Sequence, residues 1–205
     1  GTSAGAKACQ PCVAGKYSTA SNVASCTDCG AGQYQPDSAK SYCSECAAGS
    51  ITNKGSSAAA TTCDACAAGK YSKKSTDSTC TDCAAGYYVE VTGSAKPSDC
   101  AQCRPGYLTN TGTRTGASIC TGCAVGKYST ASNVAACIAC PKGKYAASDG
   151  SATCADCEAG QYQEGDGQGY CKACLAGSIT KTGTSAGATT CDECAAGKYS
   201  TKSTD

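Results

Sequence analysis

Every cysteine in the chain belongs to a Cys-x-x-Cys pair, and the pairs recur on a ruler with only two intervals. They begin at Cys9, Cys26, Cys43, Cys63, Cys80, Cys100, Cys120, Cys137, Cys154, Cys171 and Cys191, so successive starts are 17 or 20 residues apart. No cysteine is left over from the 22. A fixed period of this length is the signature of a repeat architecture. It also says where stability must come from. The 205 residues contain no Phe, Trp, Met or His, and Val, Ile and Leu together number only twelve. Buried large aliphatics and aromatics contribute roughly 1.5–3 kcal/mol each in an ordinary domain, and this chain has too few to build such a core. Net charge is only +1, so self-repulsion does not hold the chain open. Cross-links in place of a core are the rule for small secreted scaffolds.

The unit extends beyond its cysteines. The third residue after each pair is always Gly, from Gly15 to Gly197. Two residues later stands Tyr in eight units (Tyr17, Tyr34, Tyr71, Tyr88, Tyr128, Tyr145, Tyr162, Tyr199) and Ile51, Leu108 or Ile179 in the other three, all of them 20-residue units. A longer period lies above this one. Cys63-Asp-Ala-Cys-Ala-Ala-Gly-Lys-Tyr-Ser returns 128 residues later at Cys191 with one change. Residues 1–205 therefore read as one continuous array of eleven units with a seven-unit super-repeat. Residues 1–6 match 183–188, and 200–205 resemble 72–77, so both ends are expected to fall inside a unit of a longer chain.

No stretch has helical periodicity, and Gly, Ser and Thr punctuate every unit. The expected fold class is small disulfide-rich repeats: an elongated rod or solenoid of short β and turn pieces with little or no helix. Each unit should contact mainly its neighbours. The recurring Gly is expected where the backbone needs a conformation closed to a Cβ or a close approach. The Tyr is expected to cover a disulfide and pack on the next unit.

Local spacing favours bonding the second cysteine of each pair to the first of the next. That gives Cys12–Cys26, Cys29–Cys43, Cys46–Cys63, Cys66–Cys80, Cys83–Cys100, Cys103–Cys120, Cys123–Cys137, Cys140–Cys154, Cys157–Cys171 and Cys174–Cys191, with Cys9 and Cys194 left for partners in the flanks. A ladder whose bonds skip a unit is the alternative, since connectivity does not follow from sequence alone.

The Cys-x-x-Cys-x-x-Gly-x-Tyr unit resembles the short cysteine-rich repeat of ephrin-receptor-like modules and the first half of tumour-necrosis-factor-receptor repeats. Long Ala/Ser/Thr-rich arrays of it resemble surface proteins of ciliates and other protists, immobilization antigens among them. The resemblance covers every unit. It implies an extracellular or cell-surface setting, and the same pairing of each second cysteine with the next cysteine along. Receptor modules mix in additional cysteines, and the regular array departs from them there.

Other chemistry is sparse. Pairs of Cys-x-x-Cys at this spacing also suit zinc, which makes an intracellular zinc array the third reading. An odd number of pairs and the absence of His weigh against it. Without His the usual general base is missing, and no enzyme and no cofactor are expected. Asp28, Glu45, Asp82 and Glu158 read as solvated surface, and residues 164–169, Glu-Gly-Asp-Gly-Gln-Gly, read as a turn in preference to a calcium loop. Balanced charge excludes a nucleic-acid surface, and no run is apolar enough to span a membrane. Ser and Thr number 24 each, and a Ser/Thr-rich extracellular segment suits O-glycans; the candidates are Thr19, Thr52, Thr61, Thr62, Thr130, Thr180, Thr189 and Thr190. None of Asn22, Asn53, Asn110 and Asn133 has Ser or Thr two residues on, so N-glycans are not expected. The leading functional expectation is a structural component of an extracellular coat, fibre or filament that self-associates. The second is a surface antigen or receptor-type ectodomain that binds a protein ligand, with residues 87–91, Tyr-Tyr-Val-Glu-Val, as its most apolar patch.

Overall fold

The computed structural model describes residues 9–21 and 23–201. The partial-unit matches at residues 1–6 and 202–205, and Asn22, lie outside them. The chain divides into two compact units, one of residues 1–83 and 89–100, the other of residues 84–88 and 101–205.

Each repeat begins as a turn. The N–H of the fourth residue after each cysteine pair donates to the carbonyl of the first, as in Lys16 to Val13 (3.1 Å) and Lys127 to Ala124 (2.9 Å). The recurring Gly sits at the third position of this turn with φ between +77° and +87° in all eleven repeats. A positive φ at that position alone defines a type II turn and calls for Gly. Arg104-Pro105-Gly106-Tyr107 adds the Pro that the second position favours.

The turn launches a short strand that ends at the Tyr or its aliphatic substitute. It pairs antiparallel with the residues between the next two cysteines. Lys16–Tyr17 pairs with Thr27–Asp28 in this way, and Lys144–Tyr145 with Ala155–Asp156. The first compact unit holds four such hairpins and the second six among the described residues. Each hairpin follows one bond between the second cysteine of a pair and the first of the next. The structure joins all ten pairs named above, with Cα atoms 5.7–5.9 Å apart. No unit-skipping bond occurs among the described residues. No α-helix occurs among them either; one 3-10 turn, Pro97–Asp99, closes the unit that starts at Cys80. The fold is a small disulfide-rich repeat fold.

A two-stranded hairpin is marginal alone in water, and here successive hairpins satisfy one another. The N–H of each second cysteine from Cys29 to Cys194 donates to the carbonyl of the preceding Gly, at 2.8–3.2 Å. In turn the Gly N–H reaches the next repeat: Gly106 to the Ser129 carbonyl (2.7 Å), Gly126 to Ala146 (2.9 Å), Gly143 to Gln163 (2.8 Å). A third bond runs back from the next repeat to the second cysteine's carbonyl. Its donors are Ala39, Ala59, Gly93, Gly150, Gly167 and Gly187.

All six of those donors have positive φ. Two of them are alanines, Ala39 at +61° and Ala59 at +63°. A residue with a Cβ loses roughly 1–2 kcal/mol in this region, and Gly gives back about 0.5–1 kcal/mol in chain entropy. Ala59→Gly is therefore expected to stabilise the array by about 0.5–1 kcal/mol, read as a higher midpoint in thermal unfolding.

In each compact unit the buried interior is a narrow strip. It contains the second cysteine of each pair from Cys12 to Cys174 and, from Cys29 on, the sixth residue after the second cysteine: Gln35, Thr52, Ser72, Val89, Thr109, Ser129, Ala146, Gln163, Thr180 and Ser200, all under 8% exposed. Only one large aliphatic residue among the described residues, Val89, is buried; it packs on the Cys83–Cys100 bond with Tyr71 against it. Polar members of the strip are satisfied locally. Gln163 Nε2 donates to the Tyr170 carbonyl at 2.7 Å while its Oε1 accepts the Gly165 N–H at 3.0 Å. Gln35 does the same with Tyr42 and Asp37. Burying hydroxyl and amide groups is tolerable only when they are paired in this way.

Beside the contacts between neighbours, contact also skips a repeat. A Cβ built on Gly106 would lie 2.0 Å from the Gly150 carbonyl oxygen, and one on Gly126 would lie 2.0 Å from that of Gly167, two repeats on in each case. The glycines are thus required by space as well as by φ.

Candidate functional site

The exposed chemistry of each repeat lies in the loop from its Tyr to the next cysteine pair and in the strand inside that pair. The loops carry the hydroxyls, and the structure sorts the eight candidate glycan acceptors. Thr19, Thr62, Thr130 and Thr190 are exposed; Thr61 and Thr189 are half-buried. Thr61 is also bracketed by Asn53, whose Nδ2 donates to its Oγ1 at 2.9 Å.

Thr52 and Thr180 are corrected by the structure. They are 2% and 1% exposed, and each hydroxyl donates inward to a glycine carbonyl, Gly55 at 2.7 Å and Gly183 at 2.5 Å. Thr109 holds Gly112 in the same way at 2.9 Å. These threonines lie in the three repeats where an aliphatic replaces the Tyr and the strand lengthens to three residues, Ser50–Thr52, Tyr107–Thr109 and Ser178–Thr180. The extra residues of those repeats fold over as a loop and place Ala60, Ala117 and Ala188 with no exposed surface. Each Ala bridges the Tyr of the preceding repeat where that repeat has one, as in Tyr34 with Ala60 and Tyr162 with Ala188. Sequence reasoning missed this use of Thr because a hydroxyl in a Ser/Thr-rich stretch carries no mark of burial. The sign was positional: the sixth residue after the pair is Thr in these three repeats.

The tyrosines are half-buried where a following hairpin covers them. Tyr199 has no following hairpin among the described residues and is 85% exposed.

The carboxylates are partly paired. Asp28, Asp82 and Asp156 stand opposite Lys16, Lys70 and Lys144 in hairpin register. The pairs close at 2.5 Å for Lys16–Asp28 and 2.6 Å for Lys144–Asp156, and Lys70 meets Asp82 likewise. Such exposed pairs contribute about 0.2–1 kcal/mol. Glu45 and Glu158 are exposed. In the 164–169 loop the two carboxylates are engaged separately. Glu164 accepts from Lys172 Nζ at 2.5 Å, which holds that ammonium above the ordinary lysine range. Asp166 accepts the Lys142 N–H at 3.0 Å. Of residues 87–91, Val89 is in the core and only Tyr87, Glu90 and Val91 are exposed.

The sulfurs that a zinc site would need are bonded to one another. Among the described residues only Cys9, exposed, and Cys194, half-buried, are free. No helix among the described residues is long and apolar enough to cross a membrane.

No curated protein matches the chain. The tyrosine-protein kinase ephrin type A/B receptor-like family matches residues 15–63, 106–153 and 143–194. Those segments cover hairpins in both compact units, and each starts at a turn glycine, Gly15, Gly106 or Gly143. Ten disulfides together with this match indicate an extracellular or surface location. By its match over these three segments, each opening on a turn glycine, the chain belongs to the ephrin-receptor-like family of cysteine-rich repeats.

Proposed function

We propose that the array is a structural element of an extracellular coat or fibre, a stapled spacer that carries O-glycans on its loops and associates with further copies. One observation carries this reading. The same turn, staple and inter-repeat hydrogen bonds recur along the chain, and the buried strip is used to hold repeat to repeat. A uniform interior with side chains turned to its own backbone suits persistence, and the reading involves no catalysis. Exposed hydroxyls at Thr19, Thr62, Thr130 and Thr190 support glycan attachment without loss of packing.

Mass spectrometry of the secreted protein, intact and after proteolysis, tests it together with sedimentation over a concentration series. Expected are sugars on the exposed threonines, none on Thr52 or Thr180, and a sedimentation coefficient that rises with concentration. A sugar-free chain that stays monomeric throughout overturns the reading.

A receptor-type ectodomain is the second reading, and the family match supports it. Its surface would be Tyr87 and Val91, 38% and 66% exposed, without Val89. Replacing both by Ser abolishes ligand capture on this reading and leaves the structural one untouched.

A further inference from the structure

One loop carries chemistry that neither reading uses. Lys73 and Lys74 are the only adjacent basic residues in the sequence. Both are exposed. Neither ammonium meets a carboxylate, whereas Lys16, Lys40, Lys70, Lys144 and Lys172 are all ion-paired. The two lysines stand at an open pocket of about 440 Å³ lined also by Tyr71, Asp77, Ser78, Thr79 and Thr81.

The pocket is pre-formed. Asp77, its single carboxylate, is turned to the loop itself: Oδ2 accepts the Ser72 hydroxyl at 2.9 Å and the Lys74 N–H at 3.4 Å. The Asp77 N–H returns to the Lys74 carbonyl at 3.1 Å, and Ser72, which Asp77 accepts from, is fully buried. Tyr71 packs against the Val89 cluster. Two free ammonium groups, three hydroxyl-bearing side chains and one aromatic ring thus share one open concavity. Equivalent loops differ: Ser129-Thr-Ala-Ser-Asn and Gln163-Glu-Gly-Asp-Gly have no Lys, and the 200–205 sequence that resembles this loop has one Lys where this loop has two.

We infer that this pocket binds a sulfated polysaccharide. Its sulfate groups meet Lys73 and Lys74, its ring hydroxyls meet Ser78, Thr79 and Thr81, and a sugar face rests on Tyr71. Charge-assisted bonds to the ammonium groups supply affinity and hydroxyl pairing supplies orientation. A nucleic acid is a poorer fit, because a chain of net charge +1 lacks the long basic track that consecutive phosphates require. Both Arg residues, the side chain that grips phosphate bidentately, are elsewhere, at Arg104 and Arg114.

Calorimetric titration of the intact chain with a heparin tetrasaccharide at low ionic strength tests the assignment. The expected result is saturable binding that Lys73→Gln/Lys74→Gln weakens about tenfold, with an unchanged circular dichroism spectrum. Lys127→Gln/Lys142→Gln removes the same charge elsewhere and is expected to leave affinity within about twofold. Equal losses in the two double variants overturn the proposal, as does binding of inorganic sulfate as tight as that of the tetrasaccharide. Displacement of the sugar by single-stranded DNA of equal charge assigns the pocket to nucleic acid instead and also overturns it.

Discussion

Full reduction is expected to unfold the chain at room temperature, with loss of the near-ultraviolet tyrosine signal, of amide protection and of protease resistance together. The reason lies in what remains once the sulfurs part. The buried strip is mostly Ser, Thr, Gln, Ala and Cys, and among the described residues Val89 is its single large aliphatic. Side chains of that size return little when removed from water, while each ordered residue loses about 1–2 kcal/mol of backbone entropy. Closing a loop of 14 or 17 residues contributes about 3 kcal/mol per bond in the chain-entropy account. A typical domain has only about 5–15 kcal/mol in total, so the loss of a few bonds exceeds it. Protection surviving in the reduced and alkylated chain would show that hydrogen bonding between repeats suffices alone.

Removing a single staple is a finer form of the same experiment. Replacing Cys123 and Cys137 by Ala is expected to cost about 3 kcal/mol and to open residues 123–137 and the repeats that bond to them, leaving distant hairpins protected. Stability in a linear array is a sum of unit and interface terms. Hydrogen exchange mapped along the chain reads the result directly. Global unfolding by one missing staple would mean that cooperativity runs farther than the one-repeat and two-repeat contacts.

How legible the sequence is depends on what each residue must do. Cysteine spacing and the recurring Gly are strong signals because their roles are covalent or steric, and no other residue meets them; hence the hairpin staple and the type II turn follow from pattern. The strip at the sixth position is nearly silent, since Ser, Thr and Gln serve equally well in a loop or facing their own backbone. Only their register against the cysteines sets them apart, as with Thr180, which packs inward, and Thr190, ten residues on, which does not. The second left-handed position is hidden for another reason. It is Gly at Gly93, Gly150, Gly167 and Gly187 but Ala at Ala39 and Ala59, so the backbone requirement persists where the residue that would announce it is absent. Contacts two repeats apart are likewise invisible, because they involve a glycine and a carbonyl, neither of which varies with side-chain pattern.

Those contacts set the second large effect. Gly106→Ala is expected to destabilise the array by about 2–5 kcal/mol. Part of that is the left-handed backbone, about 1–2 kcal/mol for a residue with a Cβ at φ +87°. The rest is overlap. The new Cβ would lie 2.0 Å from the Gly150 carbonyl oxygen and 2.6 Å from its carbon, and forcing a methyl into a closed contact costs roughly 1–3 kcal/mol more. The obstacle is backbone, and Gly150 is itself fixed by its N–H bond to the Cys123 carbonyl at 2.7 Å, so it cannot step aside as a side-chain tip would. Gly93 supplies the internal control. It too is left-handed, with φ +75°, yet the nearest atom to its Cβ position, the Ala65 Cβ, lies at an ordinary contact distance of 3.8 Å. Gly93→Ala is therefore expected to lose the backbone share alone, about 1–2 kcal/mol. Thermal unfolding of the two variants under identical conditions separates strain from crowding, and equal losses would mean that φ alone selects Gly and that the approach two repeats away carries no energetic weight.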